Sequence, residues 1–289
     1  MNKKKKNIVL TIVQLVLVTI IIYSLYNIGS YYYQNYKSTK ALKKITEEVS
    51  SIEENILNKS DVAGINNVTG VKNSTGNKDE NKEEINIPKK SRDQVAKEVV
   101  AKLKERNKDI IGYIKVEGVK IDYPILYIKE DNDYYLFRDL DGNWSRPGNI
   151  FLNGWNNHDF SDMNTTVFGH NLRTNPEKYA PMFKLILNFD NEEFVNSKKE
   201  HIIEIYTEEG YKKYRIFSGY YSNISNDYME ANRDKRIWVD YLKNIKNKST
   251  HDFGVDYKFS EDTKIVTLST CDNDTDEGRY VVHAYEIEE

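Results

Sequence analysis

A long apolar stretch opens the chain. Residues 7–36 contain no charged side chain, their core at 8–26 is dense in Ile, Val and Leu, and four consecutive lysines at 3–6 precede it. About 20 apolar residues suffice for a helix to span a bilayer, and a lysine cluster beside such a helix stays cytoplasmic. A cleaved signal peptide fits less well, because the stretch exceeds an ordinary h-region and no small-residue cleavage motif follows it. We predict that residues 1–36 form an uncleaved transmembrane anchor, which places the rest of the chain outside the cell.

A stalk is predicted between this anchor and the domain that begins at residue 91. Five apolar residues follow the 3-4-3-4 spacing of one helical face, namely Leu42, Ile45, Val49, Ile52 and Ile56. Two heptads are too few for a dimerising coiled coil, so the pattern favours a surface helix. Residues 58–88 are rich in Asn, Lys, Glu, Ser and Gly and cannot bury enough apolar surface to offset their ordering entropy. Residues 37–90 are therefore expected to be a short amphipathic helix followed by a flexible tether.

Residues 91–289 carry the pattern of one mostly β domain. A helical face at Val95, Val99 and Leu103 comes first, and helices are predicted at 189–196 and 233–246. Short stretches rich in β-branched and aromatic residues predict strands, at 112–116, 119–121, 149–152, 165–169, 201–207, 211–222, 264–271 and 279–286. Many strands at short spacing with helices between them predict a barrel or sandwich decorated by helices.

Charge and cysteine content exclude several classes of protein. The chain of 289 residues has 42 Lys and Arg against 45 Asp and Glu, a net charge of −3 that is too balanced for a dedicated nucleic-acid binder. Its one cysteine, Cys271, rules out an internal disulfide framework and a multi-cysteine zinc site. An acidic loop at 272–277 lacks the Gly and Glu positions of a calcium-binding EF-hand loop. No metal or cofactor is expected.

The lone cysteine is the first candidate for chemistry. Cys271 ends a predicted strand beside a polar loop, where a thiol can meet a substrate. By position alone, a nucleophile and an inert buried thiol remain comparable interpretations. A nucleophilic cysteine needs a proton partner and a group that stabilises the developing oxyanion.

Candidate partners stand at other strand ends. Of five histidines, His170 ends a predicted strand and enters a polar loop, as Cys271 does, whereas His201 and His283 suit packing roles. Arg279 opens the strand after Cys271, so a returning loop could bring its guanidinium near the sulfur. On spacing alone, an ion pair between Arg279 and the acidic loop is the more ordinary interpretation.

At these residues the sequence resembles the sortases, specifically class B. Residues 267–271 (TLSTC) with 278–284 (GRYVVHA) resemble the active-site end of that family, and 167–171 (VFGHN) resembles its histidine segment. Residues 122–125 (DYPI) and 131–136 (DNDYYL) resemble upstream segments in the expected order. A helix before the last cysteine strand, here 233–246, is typical of class B. The similarity covers residues 91–289, and the anchor and stalk also suit the family.

The resemblance implies an eight-stranded sortase-type β-barrel, decorated with helices and preceded by a transmembrane helix. Cys271 would be the nucleophile, His170 the general acid and base, and Arg279 the group that steadies the acyl oxygen. Further residues would line the substrate groove, by similarity Asn132, Leu136, Tyr228, Met229 and Ser269.

The implied activity is transpeptidation at a Gram-positive cell surface. Such an enzyme cleaves a C-terminal sorting signal similar to Asn-Pro-x-Thr-Asn in surface proteins, holds a thioacyl intermediate, and passes the acyl group to an amine of a peptidoglycan precursor or a pilin. Two other classes remain open. A membrane-anchored cysteine peptidase would only hydrolyse its substrate, and a non-catalytic surface-binding module would not need the thiol.

Overall fold

Eight strands close into one barrel. The computed structural model describes residues 3–65, 89–172, 175, 178–180, 182–224, 227–272 and 277–288. The strands are β1 (Ile110–Val116), β2 (Ile121–Leu126), β3 (Ile150–Leu152), β4 (Asn164–Phe168), β5 (Ile202–Thr207), β6 (Tyr211–Asn223), β7 (Ile265–Cys271) and β8 (Gly278–Ile287). Their order around the barrel is β1-β2-β3-β4-β7-β8-β6-β5. The predicted eight-stranded barrel is confirmed, and a barrel rather than an open sandwich leaves no free sheet edge.

Two of the strand pairs are parallel and the other pairs are antiparallel. β2 runs parallel to β3, and β4 runs parallel to β7 with Phe168 opposite Ser269. Parallel neighbours end at the same edge of a sheet. The loops that follow β4 and β7 therefore leave the barrel side by side, although about 100 residues separate them along the chain.

Strand β7 shows how the local sequence suits its place in this sheet. β7 is buried at each residue from Ile265 to Thr270. Because successive side chains of a strand point to opposite faces, both faces of β7 are covered, one by the barrel interior and one by packed helical segments. Such a strand reads as a continuous β-branched and apolar run, as parallel strands do.

The helices differ in part from the sequence-based prediction. Helix α4 (Lys235–Asn247) lies where one was predicted, and the side chain of its N-cap Asp234 accepts a hydrogen bond from the Arg236 backbone N–H at 2.9 Å. The single helix predicted at 189–196 is instead a 3-10 helix (Phe183–Asp190) followed by the short helix α3 (Glu192–Asn196). Asn191 separates the two because its backbone is extended and its side chain caps α3.

The N-terminal residues form one continuous helix, α1 (Lys3–Ile65), and a second helix, α2 (Lys89–Arg106), follows it in the structure. Part of α1 is long and apolar enough to cross a membrane. The predicted amphipathic face packs within the chain, since Ile45 and Val49 join Val99 and Leu103 of α2 in one buried cluster with the outer face of the barrel. Residues 58–65 of the predicted tether are helical, and its remainder at 66–88 lies outside the described residues.

Burial of the α1 face predicts a measurable contribution to stability. Ile45 is 0% exposed, whereas Ile237 on α4 is 55% exposed. We expect Ile45→Ala to lower the free energy of unfolding by about 2–5 kcal/mol, since it removes buried methyl groups and leaves a cavity. The matched variant Ile237→Ala should stay within about 0.5 kcal/mol of wild type. Thermal unfolding of the full chain in detergent measures both, and equal effects of the two substitutions would contradict the packing of α1 on the domain.

Candidate active site

Cys271 is the last residue of β7 and lies directly opposite Arg279 of β8. Its side chain is partly exposed at the barrel edge. An antiparallel pair at a strand end places the two side chains beside each other, at the start of the loop that joins the strands. The sequence left open whether a loop could bring Arg279 near the sulfur. The register of β7 and β8 places Arg279 next to Cys271 without any contribution from the loop.

His170 reaches the same edge through the parallel pairing of β4 with β7. Beyond the last paired residues, the Gly169 N–H donates to the Ser269 carbonyl at 3.2 Å, and the Thr270 hydroxyl donates to the Gly169 carbonyl at 2.6 Å. The Asn171 side-chain amide then donates to the Cys271 carbonyl at 2.9 Å. His170 and Cys271 are therefore each two residues beyond a paired position, on adjacent strands.

The His170 ring is held in one orientation by the backbone of a neighbouring segment. Its Nε2 donates to the carbonyl of Leu136 at 2.7 Å, and the Phe137 ring lies 5.2 Å away between centroids. Because the carbonyl can only accept, Nε2 carries the proton and Nδ1 is left as the basic nitrogen. Burial lowers the pKa of His170, with the charge of Arg146 acting in the same direction and the Leu136 bond opposing it.

Two glycines make this arrangement possible. At Gly148, where φ is +58°, a Cβ would lie 2.1 Å from the Leu136 carbonyl oxygen. At Gly169, immediately before the histidine, a Cβ would lie 2.7 Å from the Phe183 ring. Only glycine therefore lets the chain approach closely on both sides of His170, since any larger residue requires a backbone shift.

Arg279 and Tyr228 are further polar side chains near the thiol. The Arg279 guanidinium is partly buried and donates to the Gly278 carbonyl at 2.8 Å. Burial raises the pKa of the buried Tyr228 hydroxyl, while its hydrogen bond with Ser269 and the charge of Arg279 oppose that rise and Cys271 adds to it. The Tyr228 phenol thus lies within electrostatic reach of Arg279 and Cys271. Residues 273–276 of the acidic loop, the alternative partner of Arg279, lie outside the described residues.

The predicted groove residues do not all meet the catalytic candidates. Tyr228 and Ser269 share a buried hydrogen bond of 3.0 Å, and Leu136 binds His170 through its carbonyl. Asn132 is exposed and accepts from the Gly154 N–H at 2.6 Å, while Met229 packs partly buried on the main core. Among the residues that the structure describes, no hydrogen bond links Asn132 or Met229 to the cysteine, histidine and arginine.

Asn164 is a site residue that the sequence analysis missed. It is fully buried at the start of β4, accepts from the Thr267 hydroxyl at 2.7 Å, and donates to the Tyr228 and Glu230 carbonyls at 2.8 and 3.1 Å. It therefore joins β4 and β7 to the 3-10 helix Asp227–Met229, which carries Tyr228. The available signal was an amide side chain at the start of a strand that is otherwise β-branched and aromatic.

Two of the other histidines, His201 and His283, serve packing. His201 is 3% exposed and its Nε2 donates to the Val195 carbonyl at 2.8 Å. His283 is fully buried against Thr267 and the Tyr220 hydroxyl, and burial lowers its pKa to about 3. Within the described part of the chain, no group of three or more His, Cys, Asp or Glu side chains is arranged to hold a metal ion.

Comparison with known proteins agrees with this geometry. The chain is 33% identical to sortase B of Listeria monocytogenes over 185 residues, which are 62% of this chain and 70% of that protein. The chain belongs to the class B sortases, a family of cysteine transpeptidases. Sortase B of Staphylococcus aureus is 29% identical over 172 residues, 59% of this chain and 66% of that protein.

Solved structures match the sortase fold as well. The crystal structure of Clostridium perfringens sortase B has a TM-score of 0.58 at 34% identity, covering 65% of this chain and 99% of that one. No family model matches the chain. The fold class and the family resemblance drawn from the motifs are thus confirmed.

The role of Asn164 in this sortase predicts a specific loss on substitution. Asn164→Ala would leave the Tyr228 and Glu230 carbonyls without their buried donor, at about 1–3 kcal/mol per orphaned group. The Thr267 hydroxyl would lose one partner and keep its hydrogen bond with His283. We expect a lower unfolding free energy, measured by thermal unfolding, and weaker turnover because the Tyr228 segment is released. Asn244→Ala on the exposed face of α4 is the control. An unchanged midpoint in Asn164→Ala would show that this network is not needed.

Proposed function

We propose that Cys271 is the nucleophile of this sortase, His170 its general acid and base, and Arg279 its oxyanion-stabilising group. The observation that carries the proposal is the register at the barrel edge, where β7 lies between β4 and β8 and ends at Cys271. One neighbouring strand leads to a histidine with a free basic nitrogen and the other begins beside an arginine. A cysteine acyl transfer needs these three functions in one place.

The reaction follows from these groups. The Cys271 thiolate attacks the carbonyl carbon of the signal's threonine, and Arg279 donates hydrogen bonds to the oxygen as it becomes anionic. The C–N bond then breaks, and the His170 imidazolium gives its proton to the departing amine. An acceptor amine attacks the resulting thioester, loses its proton to His170, and expels the sulfur as thiolate. Since the pKa of His170 is lowered, the imidazolium–thiolate pair is a minor protonation state at neutral pH.

The proposed substrates are surface proteins with a C-terminal signal similar to Asn-Pro-x-Thr-Asn, and the proposed acceptor is an amine of a peptidoglycan precursor or a pilin. Family membership supports this, because S. aureus sortase B has been solved with a substrate, and a sortase B has been solved with triglycine, a peptide that presents an amine. We also propose that the signal groove is lined by Tyr228, Ser269, Leu136, Met229 and Asn132. Of these, Leu136 accepts a hydrogen bond from His170, and Tyr228 shares a hydrogen bond with Ser269.

The proposed topology is a single-pass membrane protein of a Gram-positive cell. Residues 1–36 would be the cytoplasmic lysine cluster and transmembrane anchor, 37–90 a connecting segment, and 91–289 the extracellular catalytic domain. The apolar helix supports this division. The packing of Ile45 and Val49 on α2 adds that the connecting segment covers part of the domain surface.

Amine transfer separates a transpeptidase from a peptidase. The full chain in detergent, which retains the packed α1 face, is incubated with a library of signal peptides and triglycine, and the products are identified by mass spectrometry. We expect peptide–triglycine conjugates, and we expect Cys271→Ala to abolish cleavage and transfer together because both pass through the sulfur. Hydrolysed peptide alone would indicate a peptidase. Turnover in Cys271→Ala would exclude the nucleophile.

Arg279→Lys tests the oxyanion role. Lysine keeps the charge but lacks the planar fork of donors, so we expect kcat/KM to fall by about 10²–10³, the loss typical of removing one oxyanion donor. The matched control is Arg215→Lys on β6, whose guanidinium pairs with Glu200 at 3.1 Å and should tolerate lysine. Near-wild-type kcat/KM in Arg279→Lys, with an unchanged melting midpoint, would exclude the role.

A further inference from the structure

The part of helix α1 that the domain leaves exposed is as long as the hydrocarbon core of a membrane is thick. The large apolar side chains from Ile8 to Ile28 are each 48–71% exposed. At a rise of 1.5 Å per residue this segment is about 30 Å long, and the hydrocarbon core of a bilayer is about 30 Å thick. The segment that the domain leaves uncovered is therefore long enough to cross the bilayer once, with no apolar turn left over.

Contacts with the domain begin immediately beyond this segment. The Tyr31 ring lies 5.1 Å from the Arg146 guanidinium, the Gln34 side chain accepts from the Arg146 N–H at 3.1 Å, and Asn35 is only 2% exposed. Lys37 pairs with Asp139 at 2.8 Å. The helix is continuous through this region. If α1 spans a bilayer, the domain starts at the bilayer surface without a spacer.

An exposed tryptophan lies at the level where the bare segment ends. Trp144 is 63% exposed, and it lines one groove together with Tyr26, Ser30 and Tyr33 of α1. Tryptophan and tyrosine are enriched at membrane–water interfaces, where the ring is apolar and its polar end stays hydrated. Exposure of this ring to water alone has no stabilising reason in the fold, whereas an interfacial position provides one.

An overlapping groove beside Tyr33 carries charged side chains of both signs. It is lined by Lys37, Lys40, Lys44 and Arg106 and by Glu48 and Asp141. Lys37 is paired with Asp139, whereas Lys40 and Arg106 are exposed. Basic side chains next to a bilayer are attracted to anionic headgroups, by about 1 kcal/mol for each one near the surface. Aromatic rings beside cations are the composition expected of a surface that contacts anionic phospholipid.

We propose that Tyr26, Tyr33 and Trp144 form a membrane-docking surface that lies at the headgroup layer of the anionic bilayer crossed by α1. The inference rests on the membrane anchoring proposed above. Trp144 is the interfacial anchor of the domain, and the exposed cations Lys40 and Arg106 lie above the headgroups and face the anionic surface of the bilayer. The domain is then held on the bilayer in one orientation instead of moving on a tether.

The docking surface is coupled directly to the active site. Trp144 forms a β-bridge with Arg138, and the Ser145 N–H donates to the Phe137 carbonyl at 2.9 Å. Phe137 packs on His170, and the preceding residue supplies the carbonyl that orients its ring. The headgroup layer thus lies next to the segment that positions the histidine.

Bromine quenching of tryptophan emission tests this surface. The chain has three tryptophans, of which Trp238 is fully buried and Trp155 is 77% exposed. The full-length variants Trp155→Phe and Trp144→Phe, each with Trp238 retained, are reconstituted into vesicles of phosphatidylglycerol and phosphatidylcholine. The phosphatidylcholine carries bromine either near the headgroup or near the chain end, and flotation measures insertion.

We expect headgroup-proximal bromine to reduce the emission of Trp155→Phe more than chain-end bromine does, and to leave the emission of Trp144→Phe nearly unchanged. Equal losses in the two variants, or no loss in Trp155→Phe, would overturn the docking surface while leaving the anchor intact. A chain that does not float with the vesicles would overturn the anchor and the docking surface together. Transfer to triglycine, measured in the same vesicles, reports on the proposed chemistry separately.

Discussion

Parallel pairing of β4 with β7 is the constraint on which the site depends. The two strands are far apart in the chain, and their hydrogen bonds fix the register so that a histidine and a cysteine leave the barrel at adjacent points. The bonds from Thr270 to Gly169 and from Asn171 to Cys271 continue this pairing past the end of the ladder. A slip of one residue would turn each side chain to the opposite face, and would separate His170 from the Cys271 thiol.

The orientation of His170 and Arg279 comes from backbone more than from other side chains. The Leu136 carbonyl selects the tautomer of His170, and the Gly278 carbonyl accepts from Arg279. In many cysteine enzymes a side-chain amide or carboxylate orients the histidine. Here a carbonyl of a 3-10 helix takes that position, and a glycine at 148 is needed to bring the neighbouring chain close to it. The loop between β2 and β3 is therefore part of the candidate active site.

The same loop contacts both His170 and helix α1. Its residues 139–146 contact the first turns of α1 beyond the apolar segment, and its beginning contacts His170. Helix α1 also covers the outer face of the barrel through Ile45 and Val49. The segment between the apolar stretch and the barrel is therefore part of the folded domain, and in the topology proposed above it would set the height and orientation of the site.

The sequence by itself located most of the elements and indicated the family. Alternation and apolar runs located the strands except β2, which was expected at 119–121 and lies at Ile121–Leu126. Helical spacing identified the buried face around Ile45, and a lone cysteine with GRYVVHA downstream indicated the family, because these signals are local or are short motifs. The helix break at Asn191 was not predicted, although its cap is local, and neither was the role of Asn164, whose partners come from distant segments. Only the tertiary structure decided which strand ends meet, which carbonyl orients His170, and that α1 packs on the domain. Each of these is a contact between residues remote in the chain, whose free energy exists only after the barrel has closed.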